Sequence, residues 1–135
     1  MVIRFWVEDW RMQSVRPKAK SFRDLPVWQR ARDLVVSVYA ATRGFPREEQ
    51  FGLTSQIRRA AVSVAANIAE GWGRGGRREL HRYCTVSRGS LYELDCLLEI
   101  AERLEYVPSG TFDAAKHLGD EVGRMLSGLR KALQT

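Results

Sequence analysis

The chain has 135 residues, 44% hydrophobic and 28% charged, with 22 Lys and Arg against 16 Asp and Glu and a formal net charge of +6. That length supports one domain with a core of its own, and the two fractions are those of a globular protein. No apolar run approaches the ~20 residues that span a bilayer, which excludes a membrane-spanning chain.

Residues 1–23 read as a basic and aromatic arm ahead of a domain over residues 24–135. Phe5, Trp6 and Trp10 lack a clean helical period, and Arg16, Lys18, Lys20 and Arg23 follow as a basic tether. A partner-binding segment, a short strand, an extension from an early start codon and a loosely packed end all fit this stretch. Charges at Arg4, Glu8, Asp9 and Arg11 interrupt any signal-peptide core, so the cytoplasm is the expected location.

Asp24 and Pro26 open a first helix, Asp24 as N-cap and the proline in the first turn. Trp28, Ala31, Leu34, Val35, Val38, Tyr39 and Thr42 line one face, and Gly44 is expected to end it. Phe45 to Glu49 is a turn.

The second helix is expected from Leu53 to Glu70. Leu53, Ile57, Ala60, Ala61, Val64 and Ile68 form its core stripe, beside a polar seam of Gln56, Arg59, Ser63, Asn67 and Glu70. Its back carries Val62, Ala65, Ala66 and Ala69. A helix apolar on two sides is usually buried on two sides, which points to a second subunit. The competing explanation is that alanine is simply the best helix former. Glu70 would sit at a helix C-terminus, where the macrodipole disfavours an anion. Arg59, Arg74, Arg77 and Arg78 are the nearest compensating charges.

Gly71, Gly73 and Gly76 formally spell G-x-G-x-x-G. The dinucleotide fingerprint needs a strand before it, and here a helix comes first. Gly71 reads instead as a helix C-cap, with Gly73, Gly75 and Gly76 making a pliable turn.

The third helix is expected from Arg77 to Arg103, with Leu80, Cys84, Ser87, Leu91, Leu94 and Leu98 as its stripe. Val86, Gly89, Tyr92, Cys96 and Ile100 make a second patch, so this helix too reads as buried twice. The candidate subunit interface is therefore Val62, Ala65, Ala69, Val86, Tyr92, Cys96 and Ile100. Cys84 and Cys96 stand about 18 Å apart on one helix, too far for a disulfide within the chain. Both are expected to be buried thiols. The fourth helix runs from Thr111 or Phe112 to Leu133, with Ala115, Leu118, Val122, Met125, Leu126, Leu129 and Leu133 inward. Four helices and short turns imply an all-α, up-down-up-down four-helix bundle, and its two doubly apolar helices point to a homo-oligomer.

Charge is uneven along the chain. Residues 58–88 hold seven arginines against Glu70 and Glu79, while residues 89–135 hold five basic against eight acidic side chains. Arg58, Arg59, Arg74, Arg77, Arg78, Arg82 and Arg88 are the candidate nucleic-acid contacts, because a guanidinium donates two hydrogen bonds to one phosphate. Trp72 among them is a candidate for stacking on a base. A solvated basic surface is the competing reading. A di-iron bundle needs paired Glu-x-x-His motifs, and the chain has none. No metal, cofactor, catalytic residue, small-molecule substrate or membrane partner is expected, and an enzyme is the least expected class.

The runs SFRDLPVWQRARDL, FPREEQFGLTSQIRRAAVSVAANIAEG and SRGSLYEL resemble the bacterial family of 23S ribosomal RNA intervening-sequence proteins. They are also similar to the accessory variability determinant of diversity-generating retroelements. The resemblance covers about Ser21 to Leu133. It implies a cytosolic four-helix bundle assembled as a homo-oligomeric ring of five subunits, a pentamer, with no enzymatic activity. Retroelement members are basic partners of a reverse transcriptase and nucleic acid. Two functions follow: an accessory RNA- or DNA-binding oligomer, or a protein-interaction scaffold without nucleic acid.

Overall fold

The computed structural model describes residues 19–134. Among them the chain is all-α, with four long helices and no strand. Helix α1 spans Pro26–Ala41, α2 Leu53–Gly73, α3 Arg77–Arg103 and α4 Asp113–Leu133, with short 3-10 turns at Phe22–Asp24 and Arg47–Glu49. α1 packs on α2, α2 on α3 and α3 on α4, and α4 packs back on α1; the α2–α3 contact is the most extensive.

Most of the expected inward stripes are buried, but Trp28, Val35, Leu53, Leu91 and Leu118 are half-buried and Tyr39 is exposed. Ile57, Ala60, Ala61, Val64 and Ile68 of α2 lie inside with Leu80, Cys84, Ser87, Leu94 and Leu98 of α3. They are joined by Ala115, Val122, Met125, Leu126, Leu129 and Leu133 of α4. These positions recur at the 3.6-residue helical period, so each set falls on one face. The interior divides into two clusters, one around Leu25, Ala31, Val64, Ile68, Leu80 and Leu126, the other around Leu34, Ile57, Leu94, Leu98 and Phe112. Leu91 packs against both.

At their junction α2 and α3 meet through small polar side chains. The fully buried Ser87 hydroxyl donates to the Val64 carbonyl at 2.7 Å. The Ser63 and Ser90 hydroxyls share a bond of 2.7 Å, and Asn67 Nδ2 donates to the Ser63 carbonyl at 2.8 Å. Each group finds a partner, which removes most of the cost of burying it.

Several helix ends depart from expectation. Asp24 does not cap α1: its carboxylate accepts the N–H groups of Lys20 at 2.7 Å and Ser21 at 3.2 Å, closing a capping box on the turn Phe22–Asp24. α1 starts at Pro26 with no side-chain cap, helped by a residue whose missing N–H is no loss at a first turn. Gly44 does not end α1 either. The helix stops at Ala41, and the buried Thr42 folds its hydroxyl back onto the Val38 carbonyl at 2.8 Å. Gly71 is no C-cap, since α2 continues to Gly73. A Cβ on Gly71 would stand 2.7 Å from Tyr83 Cβ and 3.3 Å from Leu80 Cα, so the glycine is there for close approach of α3. The turn itself uses Gly75, at φ +84°.

Residues 19–23 pack onto the bundle rather than standing off as an arm. Ala19 is buried in the first cluster, and Phe22 meets Trp28 edge-on at 4.9 Å. The rest of the expected arm, residues 1–18, lies outside the described residues.

α3 ends in a left-handed residue. The Tyr106 N–H reaches back to the Ala101 carbonyl and the Glu105 N–H to Glu102, the Schellman pattern. Glu105 occupies the left-handed position at φ 58°, where glycine has no Cβ penalty. Glu105→Gly is expected to raise stability by about 0.5–1 kcal/mol, read as a higher urea midpoint at unchanged slope. A lower midpoint would contradict this account of the cap.

Candidate nucleic-acid and subunit surfaces

The seven candidate arginines do not form one patch. Arg58 and Arg59 lie in the second turn of α2, about 22 Å along the axis from Arg74 at the far end. Two of the seven serve other helices. Arg58 Nε donates to Thr42 Oγ1 at 2.9 Å, its guanidinium lies over the Tyr39 ring at 4.5 Å, and it therefore holds the C-terminal turn of α1. Arg77 Nη2 donates to the Ala132 carbonyl at 3.1 Å and so holds the last turn of α4.

At the α2–α3 turn, Arg74 pairs with Glu70 at 3.0 Å and reaches Glu79 at 3.9 Å. This meets the expected compensation of Glu70. The bond from Arg74, and then one from Tyr83, hold the Glu70 carboxyl below its usual range, and the same Glu70 bond pushes Arg74 up. Arg82 pairs with Glu79 at 3.6 Å and lies over the Tyr83 ring at 5.4 Å. Arg88 stands further along α3, over the Tyr92 ring at 5.3 Å. Arg59 and Arg78 are exposed and make no ion pair among the described residues.

The fold adds basic residues that the sequence reading missed. Arg130 Nε donates to Thr85 Oγ1 at 3.0 Å, which sets Arg130 and the exposed Lys131 at the same end as Arg77 and Arg78. They lie more than 40 positions away in sequence, and only the return of α4 beside the start of α3 joins them. Trp72 is partly buried against the first cluster, so it packs rather than presenting its ring as a stacking platform.

Carboxylates collect at the opposite end, where Glu48, Glu49, Glu102, Glu105 and Asp113 lie on the helix connections or next to them. Glu49 is structural: it accepts the Leu53 N–H at 2.9 Å and the Tyr106 hydroxyl at 2.8 Å. Those two bonds, the Leu53 one foremost, hold its carboxyl below the usual range. Glu102 pairs with Lys116, and that bond pushes the ammonium up. The α2–α3 turn end of the bundle is thus basic, while the other end mixes these carboxylates with Arg43, Arg47, Arg58, Arg59, Arg103 and Lys116.

Of the candidate interface residues, Val62, Val86, Tyr92 and Ile100 are 41, 47, 63 and 44% exposed, large values for apolar side chains. On the α3 wheel Val86, Gly89, Cys96, Ile100 and Leu104 share one outward stripe. Tyr92 sits at its edge, toward α4. Ala65 leans onto the first core cluster and Ala69 is half-buried, so the back of α2 is narrower than its alanines suggested. α1 also exposes apolar surface, at Val36 and Tyr39.

The two thiols differ, contrary to the expectation that both are buried. Cys84 is buried and Cys96 exposed. Burial pushes the Cys84 thiol up to about 12, with Arg130 opposing, so it stays protonated at neutral pH and is a poor nucleophile. Among the described residues no group of three His, Cys, Asp or Glu side chains could hold a metal ion. None of the described helices is long and apolar enough to cross a membrane.

A groove of about 470 Å³ opens between α3 and α4. Leu91, Leu94 and Leu98 line it from α3, and Gly119 and Gly123 from α4. Arg88 and Arg124 rim one end, Asp95, Lys116 and Asp120 the other.

Comparison with known proteins places this arrangement. A family model described as 23S rRNA-intervening sequence protein matches residues 23–128. Among solved structures the fold is similar to that of a protein of unknown function from the S23 ribosomal protein family of Bacteroides thetaiotaomicron. The TM-score is 0.70 at 21% identity, over 78% of this chain and 95% of that one. At that identity the likeness speaks for the fold alone. No curated protein matches the chain.

Proposed function

The chain belongs to the 23S rRNA-intervening sequence protein family, and from that premise we propose that it is a non-enzymatic, cytoplasmic accessory protein that binds RNA or DNA and self-associates. The observation that carries the reading is the basic end of the bundle. There Arg74, Arg78 and Arg82 of the α2–α3 turn stand with Arg130 and Lys131 of α4, while charges of both signs mix at the other end. Such a field draws a polyanion to one end of the bundle.

The short connections support an up-down-up-down bundle. The exposed stripe Val86, Cys96, Ile100 and Leu104, with Val62 of α2, supports a subunit contact. Its proposed product is a closed ring of about five subunits, the number following from the family resemblance. A scaffold that binds protein and no nucleic acid is the second reading. It is favoured by Phe51, 91% exposed and far along the chain from the α3 stripe.

Light scattering with absorbance at 260 and 280 nm on the same peak tests both parts. The expected result is a mass near the ring's, with nucleic acid that salt removes. Arg78→Glu with Lys131→Glu is expected to abolish the nucleic acid and keep the mass. Val86→Arg with Ile100→Arg is expected to yield monomers of unchanged helical content. A wild-type monomer sinks the ring. Absence of binding at low salt sinks the nucleic-acid reading and leaves the scaffold.

A further inference from the structure

The connection between α1 and α2 holds out an aromatic side chain. Phe51 is 91% exposed, more than any other large apolar side chain among the described residues. The turn that carries it is pinned. Its N–H groups bond three residues back, Glu49 to Pro46, Gln50 to Arg47 and Gly52 to Glu49. The Glu49 carboxylate ties the turn to the Leu53 N–H and to the Tyr106 hydroxyl. A Cβ on Gly52 would stand 2.6 Å from Glu49 Oε1, so this glycine makes room for the tie. In a 3-10 turn residues three apart project to one side, which sets Glu48 beside Phe51. An aromatic group held this firmly loses little freedom on binding.

The α3–α4 groove is a hollow of the complementary kind. Leu91 packs on the bare backbone of α4: a Cβ on Gly119 would stand 3.6 Å from one Leu91 methyl, and one on Gly123 3.4 Å from the other. The two glycines keep the floor low, and about 470 Å³ is ample for a phenyl ring and its flanking chain. Arg88 and Arg124 rim one end, with Asp95 and Asp120 one to two turns further along. Lys116 shares the acidic end, where it is paired with Glu102. The other four charges make no ion pair among the described residues. Tyr92 lines the groove and borders the exposed α3 stripe, so the two surfaces form one face.

We propose that Phe51 of one copy of this chain docks in the α3–α4 groove of the next, with Glu48 on Arg88 and Arg124 and with Arg47 toward Asp95 and Asp120. The inference rests on the self-association proposed above and names its contact. The ring in the groove belongs to another copy, because the pinned turn sits at the end of the bundle. Gly119 and Gly123 lie about 9 and 15 Å along α4 from Asp113. The helices pack in cyclic order, so α1 and α2 form the flank opposite α3 and α4. Knob and hollow are therefore different surfaces on opposite flanks, and a contact between them runs head to tail, as a ring requires.

The test is complementation between two variants, read by light scattering. Phe51→Ala removes the knob and keeps the groove; Gly123→Leu fills the groove and keeps the knob. Each alone is expected to weaken association at least about thirtyfold, the loss of an interface hot spot, and to run as a monomer. Mixed, they are expected to form one-to-one dimers, since one intact knob then meets one intact groove. A charge exchange repeats the test without altering the packing. Glu48→Arg and Arg124→Glu are each expected to weaken association about tenfold, and together in one chain to restore it. If Phe51→Ala and Glu48→Arg both keep the wild-type mass, the proposal is overturned and the ring stands on the α3 stripe alone. A wild-type monomer overturns the ring and this contact together. A mixture that stays monomeric while both variants keep their helical content overturns the contact, and so does a charge exchange that fails to restore association.

Discussion

Phe112→Ala is expected to lower the unfolding free energy by about 3–5 kcal/mol, the range for removing a fully buried phenylalanine. Phe112 is fully buried and immediately precedes α4. Its ring sits in the second core cluster and meets Phe45 edge-on at 6.0 Å, and Phe45 in turn meets Tyr106 at 5.6 Å. One side chain thus ties the start of α4 to both loops at its end of the bundle. Truncation leaves a cavity that the surrounding helices cannot close without moving α4. In thermal unfolding the midpoint should fall by roughly 10–20 °C for a domain of this size. A loss under about 1 kcal/mol would mean that Phe112 is not packed as described.

Gly71→Val is expected to cost about 3 kcal/mol or more, toward the upper end for overpacking. The obstruction is Tyr83 Cβ and Leu80 Cα, atoms that move only with the α3 backbone. The side chain therefore has to push apart α2 and α3, the helix pair with the most extensive contact. Gly89→Ala is the matched control. Nothing lies within 4 Å of a Cβ at Gly89, so the alanine should stabilise α3 by up to about 1 kcal/mol. If both substitutions shift the urea midpoint in the same direction, propensity rather than close approach governs position 71.

These two sites show what could be read in advance. α3 was legible from Arg77 to Arg103, because its apolar stripe keeps one period throughout and the glycine cluster marks its start. Phe112 was placed at the start of the fourth helix, yet nothing local showed that its ring enters the core. Gly71 reads in sequence as a stop signal, and the structure continues the helix past it. A glycine required by a neighbouring helix and one required by a left-handed turn look alike in sequence, and only the approach of Tyr83 tells them apart. Asp24 reads as a cap for α1 because Asp just before a first-turn proline is a common N-cap, whereas here it is the third residue of the Phe22–Asp24 turn and answers the Ser21 cap. The arginines were grouped by adjacency along the chain. Space regroups them, separating Arg58 and Arg59 from the turn and bringing Arg130 and Lys131 to it.

The capping duties of Arg58 and Arg77 set a ceiling on how many counterions a bound nucleic acid can release. Contact by all seven arginines would give a slope of log K against log salt of about −6. Arg58 and Arg77 cannot turn to a phosphate without letting go of the last turns of α1 and α4. Arg74 and Arg82 already face Glu70 and Glu79. Within the predicted set that leaves Arg59, Arg78 and Arg88, and with Arg130 and Lys131 of α4 the slope is no steeper than about −4.5. Much of this chain's positive charge is therefore mortar between helices, and its net charge overstates its grip on a polyanion.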